Sequence, residues 1–193
     1  PGLVMMSVIT NSYGNVVGSF FNAKIQGHIE ELLVSPLSEI SIVIGYLAGG
    51  IIRGLAVATV VTFIALFFTE INIKNPLMTL FVIIMTAGVF SLAGLINAIF
   101  AKKFDDIAVI PSFVLAPLTY LGGVFYTVSL LPEFWQTLSR FNPILYMINS
   151  MRYSVIGISD VSIQNALMMI VIFFILLFAT AVILLKKGIG IRQ

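Results

Sequence analysis

The chain is 193 residues long, 60% hydrophobic and only 9% charged, against about a quarter charged in an ordinary soluble domain, and its mean hydropathy is +1.12. Apolar runs of twenty or more residues are longer than a soluble core helix needs, which excludes a soluble globular domain and specifies an all-α polytopic membrane protein. A net charge of +2 then reports membrane loops rather than nucleic acid, and the absence of cysteine excludes disulfide and thiolate chemistry.

Residues 1–22 form the first expected span, interrupted by Asn11, Ser12, Tyr13, Asn15 and Ser19, so it should face other helices or a wet cavity rather than lipid. An inner segment follows, "AKIQGHIEELLVSPLSE", with Ile25, Ile29, Leu32 and Leu33 at helical spacing and Gln26, His28, Glu30 and Glu31 on other faces. Pro36 stops it. So short a helix needs a surface to lie on. Interfacial helices favour basic polar faces, so the acids favour a protein groove over the membrane.

Span 46–68 carries Arg53, whose charge at mid-bilayer costs about 3 kcal/mol on insertion scales. Snorkelling towards the cytoplasmic surface is its ordinary reading, and a position facing substrate is the other. Gly45 with Gly49, Gly50 with Gly54, and earlier Gly14 with Gly18 sit at the four-residue spacing of closely packed membrane helices.

Spans 77–101 and 107–127 are joined by a short turn holding Asp105 and Asp106. The outer segment 128–160, broken by Pro132 and Pro143, reads as two short amphipathic helices re-entering the outer leaflet. Phe134, Trp135, Tyr146 and Tyr153 suit an interfacial aromatic belt. Span 163–185 closes the chain, one domain throughout. Lys24, Lys102, Lys103, Lys186, Lys187 and Arg192 outnumber Lys74, Arg140 and Arg152, which puts the first group in the cytoplasm. Five spans with a cytoplasmic C-terminus leave an unmatched N-terminus, so a further span is expected before residue 1, making six.

No G-x-x-x-x-G-K-[ST] is present, so the usual phosphate loop for ATP is missing. One histidine and scattered acids supply no metal cluster. All eight acids lie in or beside loops, which argues against an ion relay inside the spans.

"GHIEELLVSPLSEISIVIGYLAGG", "FAKKFDD" and "PLTYLGGVFYTVSLLPEFWQTLSRFNPILYMINSMRY" together resemble the ABC-2 type exporter permeases over nearly the whole chain. The resemblance implies a permease subunit in a bacterial inner membrane that has no catalytic residues and binds no cofactor. ATP and Mg would belong to a separate ATP-binding cassette ATPase, with a second permease copy, membrane lipids and an unidentified exported substrate as the other partners. It also implies that residues 27–35 are a coupling helix, giving Gly27, His28, Ile29, Glu30, Glu31, Leu32, Leu33 and the terminating Pro36 as ATPase-coupling positions. Ile29, Leu32 and Leu33 would supply the apolar grip, and Glu30 and Glu31 the polar contacts. Pro132, Trp135, Asn142, Pro143 and Arg152 would shape the outer exit. A secondary transporter or channel without an ATPase is the alternative, but it usually shows an intramembrane carboxylate or internal repeat. A lipid-directed membrane enzyme would have only Asp105 and Asp106 to work with, and these read more simply as a helix cap.

Overall fold

The structure, a computed structural model, describes residues 1–29, 31, 35–69 and 73–190, and among them it contains helices and no strand. Seven helices carry the fold: α1 (Gly2–Ile25), α2 (Glu39–Leu66), α3 (Pro76–Phe100), α4 (Phe104–Leu121), α5 (Glu133–Arg140), α6 (Pro143–Ile156) and α7 (Ile163–Lys187). Four of them, α2, α3, α4 and α7, are long and apolar enough to cross a membrane. With 24 residues α1 is equally long, about 36 Å at 1.5 Å per residue. Its polar positions set it apart, and it lies within the bundle, packed mainly on α3 and α2.

Local chemistry moves several helix ends away from the hydropathy boundaries. Helix α2 begins at Glu39 rather than near residue 46 because the Ser38 hydroxyl accepts the Ser41 amide at 3.2 Å, an N-cap within a stretch too polar to count as span. Likewise α4 begins at Phe104 because Asp106 Oδ2 accepts the amides of Lys102 and Lys103 at 2.8 and 2.9 Å, and it gives out at the Gly122–Gly123 turn. That assigns one member of the acidic pair to a helix cap. In the middle of α4, Pro111–Leu115 form a π-helical turn. Pro117 donates no hydrogen bond and its ring would collide with the carbonyl of Phe113, so the preceding turn widens.

Two contacts let α1 sit at the centre. Gly50 and Gly54 of α2 press against it and α3: a Cβ on Gly50 would meet Ser91 Oγ and lie 2.8 Å from Val16 Cγ2, and one on Gly54 would meet Ser12 Oγ. The other two glycine pairs do not pack in this way. Gly14, Gly18 and Gly45 have nothing within 4 Å of that position, and Gly49 has only Asn15 Oδ1, at 3.7 Å.

Between α1 and α3, Asn97 Nδ2 donates to the buried Tyr13 hydroxyl at 2.6 Å. Asn97→Leu is expected to lower stability by about 1–2 kcal/mol because it orphans that hydroxyl, and adding Tyr13→Phe should recover part of the loss. Thermal unfolding in detergent of both single variants and the double variant checks this; a double variant worse than the sum would contradict it.

Candidate functional site

Three places on the molecule gather the polar residues that such an apolar chain can hold. The first is at the end where Lys24, Lys102 and Lys103 meet. Lys24 Nζ donates to the carbonyls of Ile99 and Ala101 at 2.6 and 2.9 Å, satisfying acceptors that the end of α3 leaves open. Phe21 sets its ring edge-on to Phe104 at 5.1 Å. The exit of α1 and the α3–α4 turn are thereby tied together.

From there Gly27, at φ +78, turns the chain off α1 in a left-handed conformation that other residues rarely adopt. His28, Ile29 and Glu31 follow in helical conformation, and His28, Glu31 and Pro36 are exposed. Glu30, Leu32 and Leu33 lie outside the described residues. Ile29 departs from its expected role, since it is 3% exposed and packed in the chain's own core. The turn at Gly27 swings it against the bundle, away from any external groove. Ile25, expected on the same apolar face, is 55% exposed and remains available to a partner.

The second place is halfway along α2. Arg53 lies fourteen residues beyond Glu39 in a 28-residue helix (53 − 39 = 14), about 21 Å along a 42 Å rod. Apolar residues extend from Ile40 to Leu66, so Arg53 is central among them and too deep to snorkel to either surface. It is exposed and lines an open cleft of about 330 Å³ with Thr10, Asn11, Gly14 and Asn15 of α1. Thr10 Oγ1 and Asn11 Nδ2 donate back to the carbonyls of Met6 and Ser7 at 2.9 and 3.0 Å, leaving their oxygens to face the cleft.

The third is the opposite end, where α6 rises between α3 and α7. An amphipathic helix lying in the leaflet was expected here, but nine of the fourteen residues of α6 are buried. Its polar side chains have partners inside: Thr79 Oγ1 lies 2.9 Å from Ser154 Oγ, and Asn149 Nδ2 donates to Leu145 O at 3.0 Å. Only α5 behaves as an interfacial helix, with Phe134 71% and Phe141 80% exposed. Pro132 precedes it, and Trp135, exposed, stands edge-on to Phe134 at 5.5 Å.

Asn142 caps α6 through its Oδ1, which accepts the Ile144 amide at 3.0 Å, while its Nδ2 donates to Leu118 O at 2.5 Å. Pro143 occupies the first helical position, where a missing N–H costs nothing. Arg152 closes this end. Its Nη2 donates to the carbonyls of Gly123 and Tyr126 at 2.8 and 3.2 Å, and its Nη1 to Asp160 Oδ2 at 3.0 Å. Asp160 Oδ2 also accepts the Val128 amide at 3.2 Å, and the Asp160 amide donates to Asn149 Oδ1 at 2.9 Å.

Among the expected residues the structure therefore joins Asn142, Pro143 and Arg152 at one end, sets Arg53 alone at mid-depth, and holds Gly27, His28, Glu31 and Pro36 at the other end. Asp160, Asn149 and Gly123 complete the Arg152 knot and were not singled out by sequence. Only the Gly122–Gly123 pair hinted at it. Among the described residues no three His, Asp or Glu side chains converge as a metal site would require.

Comparisons with known proteins place this arrangement. A family model described as ABC-2 type transporter matches residues 1–156. Over all 193 residues the chain is 50% identical to the inner membrane transport permease YadH of Escherichia coli (strain K12), covering 75% of that protein's length. It is also 23% identical over 185 residues to nodulation protein J of Rhizobium leguminosarum bv. viciae, covering 94% of this chain and 71% of that protein. No solved structure matches significantly.

Proposed function

This chain belongs to the ABC-2 type transporter family, and from that premise we propose that it is driven by a separate ATP-binding cassette protein docked at its lysine-rich end. It is a membrane permease of an ABC transporter, a multi-pass protein of the inner membrane. In the reading proposed here the lysine-rich end is cytoplasmic and transport runs outward. Two permease copies associate, and ATP and Mg are bound by the cassette protein alone. Membrane lipids surround α2, α4 and α7, whose apolar residues are widely exposed.

The observation that supports this reading is the tether at the exit of α1. Lys24 fixes that exit to the end of α3, and the 27–36 segment leaves from it with His28 and Glu31 outward. A push on this segment then reaches α1, the helix packed against both α2 and α3, without first being absorbed by a loose loop. In mechanical terms the segment is a lever seated on the central helix.

Charging the segment tests the reading. Leu32→Glu with Leu33→Glu would force unpaired charges into an apolar groove at about 2–4 kcal/mol, which is roughly 30- to 1,000-fold in cassette affinity. Membrane insertion should be unchanged, co-purification with the cassette protein lost, and transport-stimulated ATP hydrolysis abolished. Unchanged co-purification together with unchanged ATPase stimulation overturns the proposal. His28→Ala is the companion control and should change ATPase activity less than about twofold, as exposed substitutions usually do.

A further inference from the structure

We propose that the cleft between α1 and α2 is an oxyanion-binding site, in which Arg53 and the Asn15 amide hold the phosphate or carboxylate group of a ligand. This rests on the reading of the chain as a permease, and it names the chemistry that the permease's mid-depth cleft selects.

The charge has no counterpart within the protein. Arg53 makes no hydrogen bond and no ion pair with another described residue, although a lone cation at the centre of an apolar span is costly. Carboxylates do not line the cleft; its walls are Thr10, Asn11, Gly14 and Asn15. The side chain is nonetheless held in a defined place, because α2 is locked to α1 one residue away, where Gly54 rests on Ser12. A charge that the fold positions so firmly and leaves uncompensated is matched by an anion from outside.

The geometry selects the class of anion. A guanidinium offers a planar fork of donors suited to two oxygens on one atom. Asn15 adds an amide that makes no hydrogen bond of its own to the described residues, and its Oδ1 lies 3.7 Å from where a Cβ on Gly49 would stand, which puts the side chain in the crossing beside Arg53. Cations are repelled by Arg53, and a neutral group leaves the guanidinium uncompensated.

The floor is formed by Gly14, which has nothing within 4 Å of a Cβ position, so a head group can approach the backbone of α1. The volume, about 330 Å³, is at the low end for a ligand pocket. It admits a head group rather than a whole lipid-sized molecule. Along the face of α2 beyond Arg53, the exposed Ala56 and Val60 offer apolar surface on which an attached chain can lie.

The test uses the intact permease in neutral detergent, without cassette protein or nucleotide, so that it stands apart from the ATPase experiment. Dodecyl phosphate, inorganic phosphate and dodecyltrimethylammonium are titrated separately. Dodecyl phosphate is expected to saturate one site. Arg53→Gln should weaken it by about tenfold or more while Arg53→Lys stays within about threefold, as expected for a charge-assisted contact, and dodecyltrimethylammonium should not compete.

Both variants should melt with the wild type, since Arg53 bonds to nothing in the fold. As this sequence has no cysteine, Thr10→Cys adds a single thiol at the cleft wall. N-ethylmaleimide should label it, and dodecyl phosphate should slow the labelling only when Arg53 is present. Binding of inorganic phosphate as tight as that of dodecyl phosphate supports the site and identifies the free ion as its ligand. Binding that needs the chain supports it and identifies an amphiphile's head. Equal dodecyl phosphate binding by Arg53→Gln and wild type overturns the proposal, and so does a thiol in the folded Thr10→Cys variant that maleimide cannot reach. Loss of ATPase coupling with binding intact would instead count against the cassette-driven reading alone.

Discussion

Gly50→Leu is expected to abolish the folded bundle at ordinary temperatures, while Gly45→Leu, five residues earlier on the same helix, should be nearly silent. At Gly50 the first added carbon already overlaps Ser91 Oγ and stands 2.8 Å from both Ser91 Cβ and Val16 Cγ2. Neither neighbour can step aside: Ser91 donates to Ala87 O at 2.6 Å, and Val16 is 1% exposed within the core. Overpacking a filled site costs about 1–3 kcal/mol, and four extra carbons at a three-helix contact take the upper end or more. That corresponds to roughly a hundredfold loss in the folded-to-unfolded ratio. At Gly45 nothing lies within 4 Å, so the leucine projects outward. Thermal unfolding of the two variants in the same detergent decides the matter. Equal destabilisation would mean that the Gly50 crossing is not a tight contact.

Arg152→Met should come next in severity. The substitution keeps the apolar stem but strips the carbonyls of Gly123 and Tyr126 of their donor and leaves Asp160 without its cation. Breaking a buried pair costs about 3–5 kcal/mol. This pair is 13% and 18% exposed, so about 2–4 kcal/mol is expected after allowing for solvent. Arg152→Lys should recover less than half, because one ammonium cannot serve carbonyls and carboxylate at once. A cycle with Asp160→Asn should show coupling above about 1 kcal/mol. The local readout is proteolysis, since segment 122–132 should become cleavable well below the global unfolding temperature. If Arg152→Met melts within about 0.5 kcal/mol of wild type, the level of an ordinary surface substitution, the knot is not holding this end.

Much of this protein was legible from its residues because hydropathy, caps and turns act locally. The all-α membrane class, the long apolar helices and the turn after Pro36 follow from short-range patterns. Choosing among the glycine pairs did not, because the four-residue spacing is identical at 14/18, 45/49 and 50/54 and only the neighbour across the crossing distinguishes them. The same limit explains α6. Its alternation of aromatic and polar residues reads as amphipathic, yet Ser154 meets Thr79 across 75 positions of sequence, and that partner is what lets its polar side be buried. Ile29 was assigned outward by spacing alone, while the left-handed turn at Gly27 decides where that face points. Arg53 was visible as an anomaly from the start, but its depth became clear only once α2 was found to begin at Ser38's cap rather than at the first apolar run.

The widened turn in α4 carries a further consequence, for chain length. Its amide-to-carbonyl bond from Ala116 to Pro111 spans five residues instead of four, which amounts to one residue inserted into a helix that otherwise keeps a regular count. Deleting Val114 would restore that count and rotate everything beyond it by about 100° about the helix axis. Leu118 would then swing its carbonyl away from Asn142, and Gly123 would leave the reach of Arg152. The aim of the whole outer cap is thus indexed by the number of residues between two prolines. A single-codon deletion there should misdirect that cap more thoroughly than most substitutions within it.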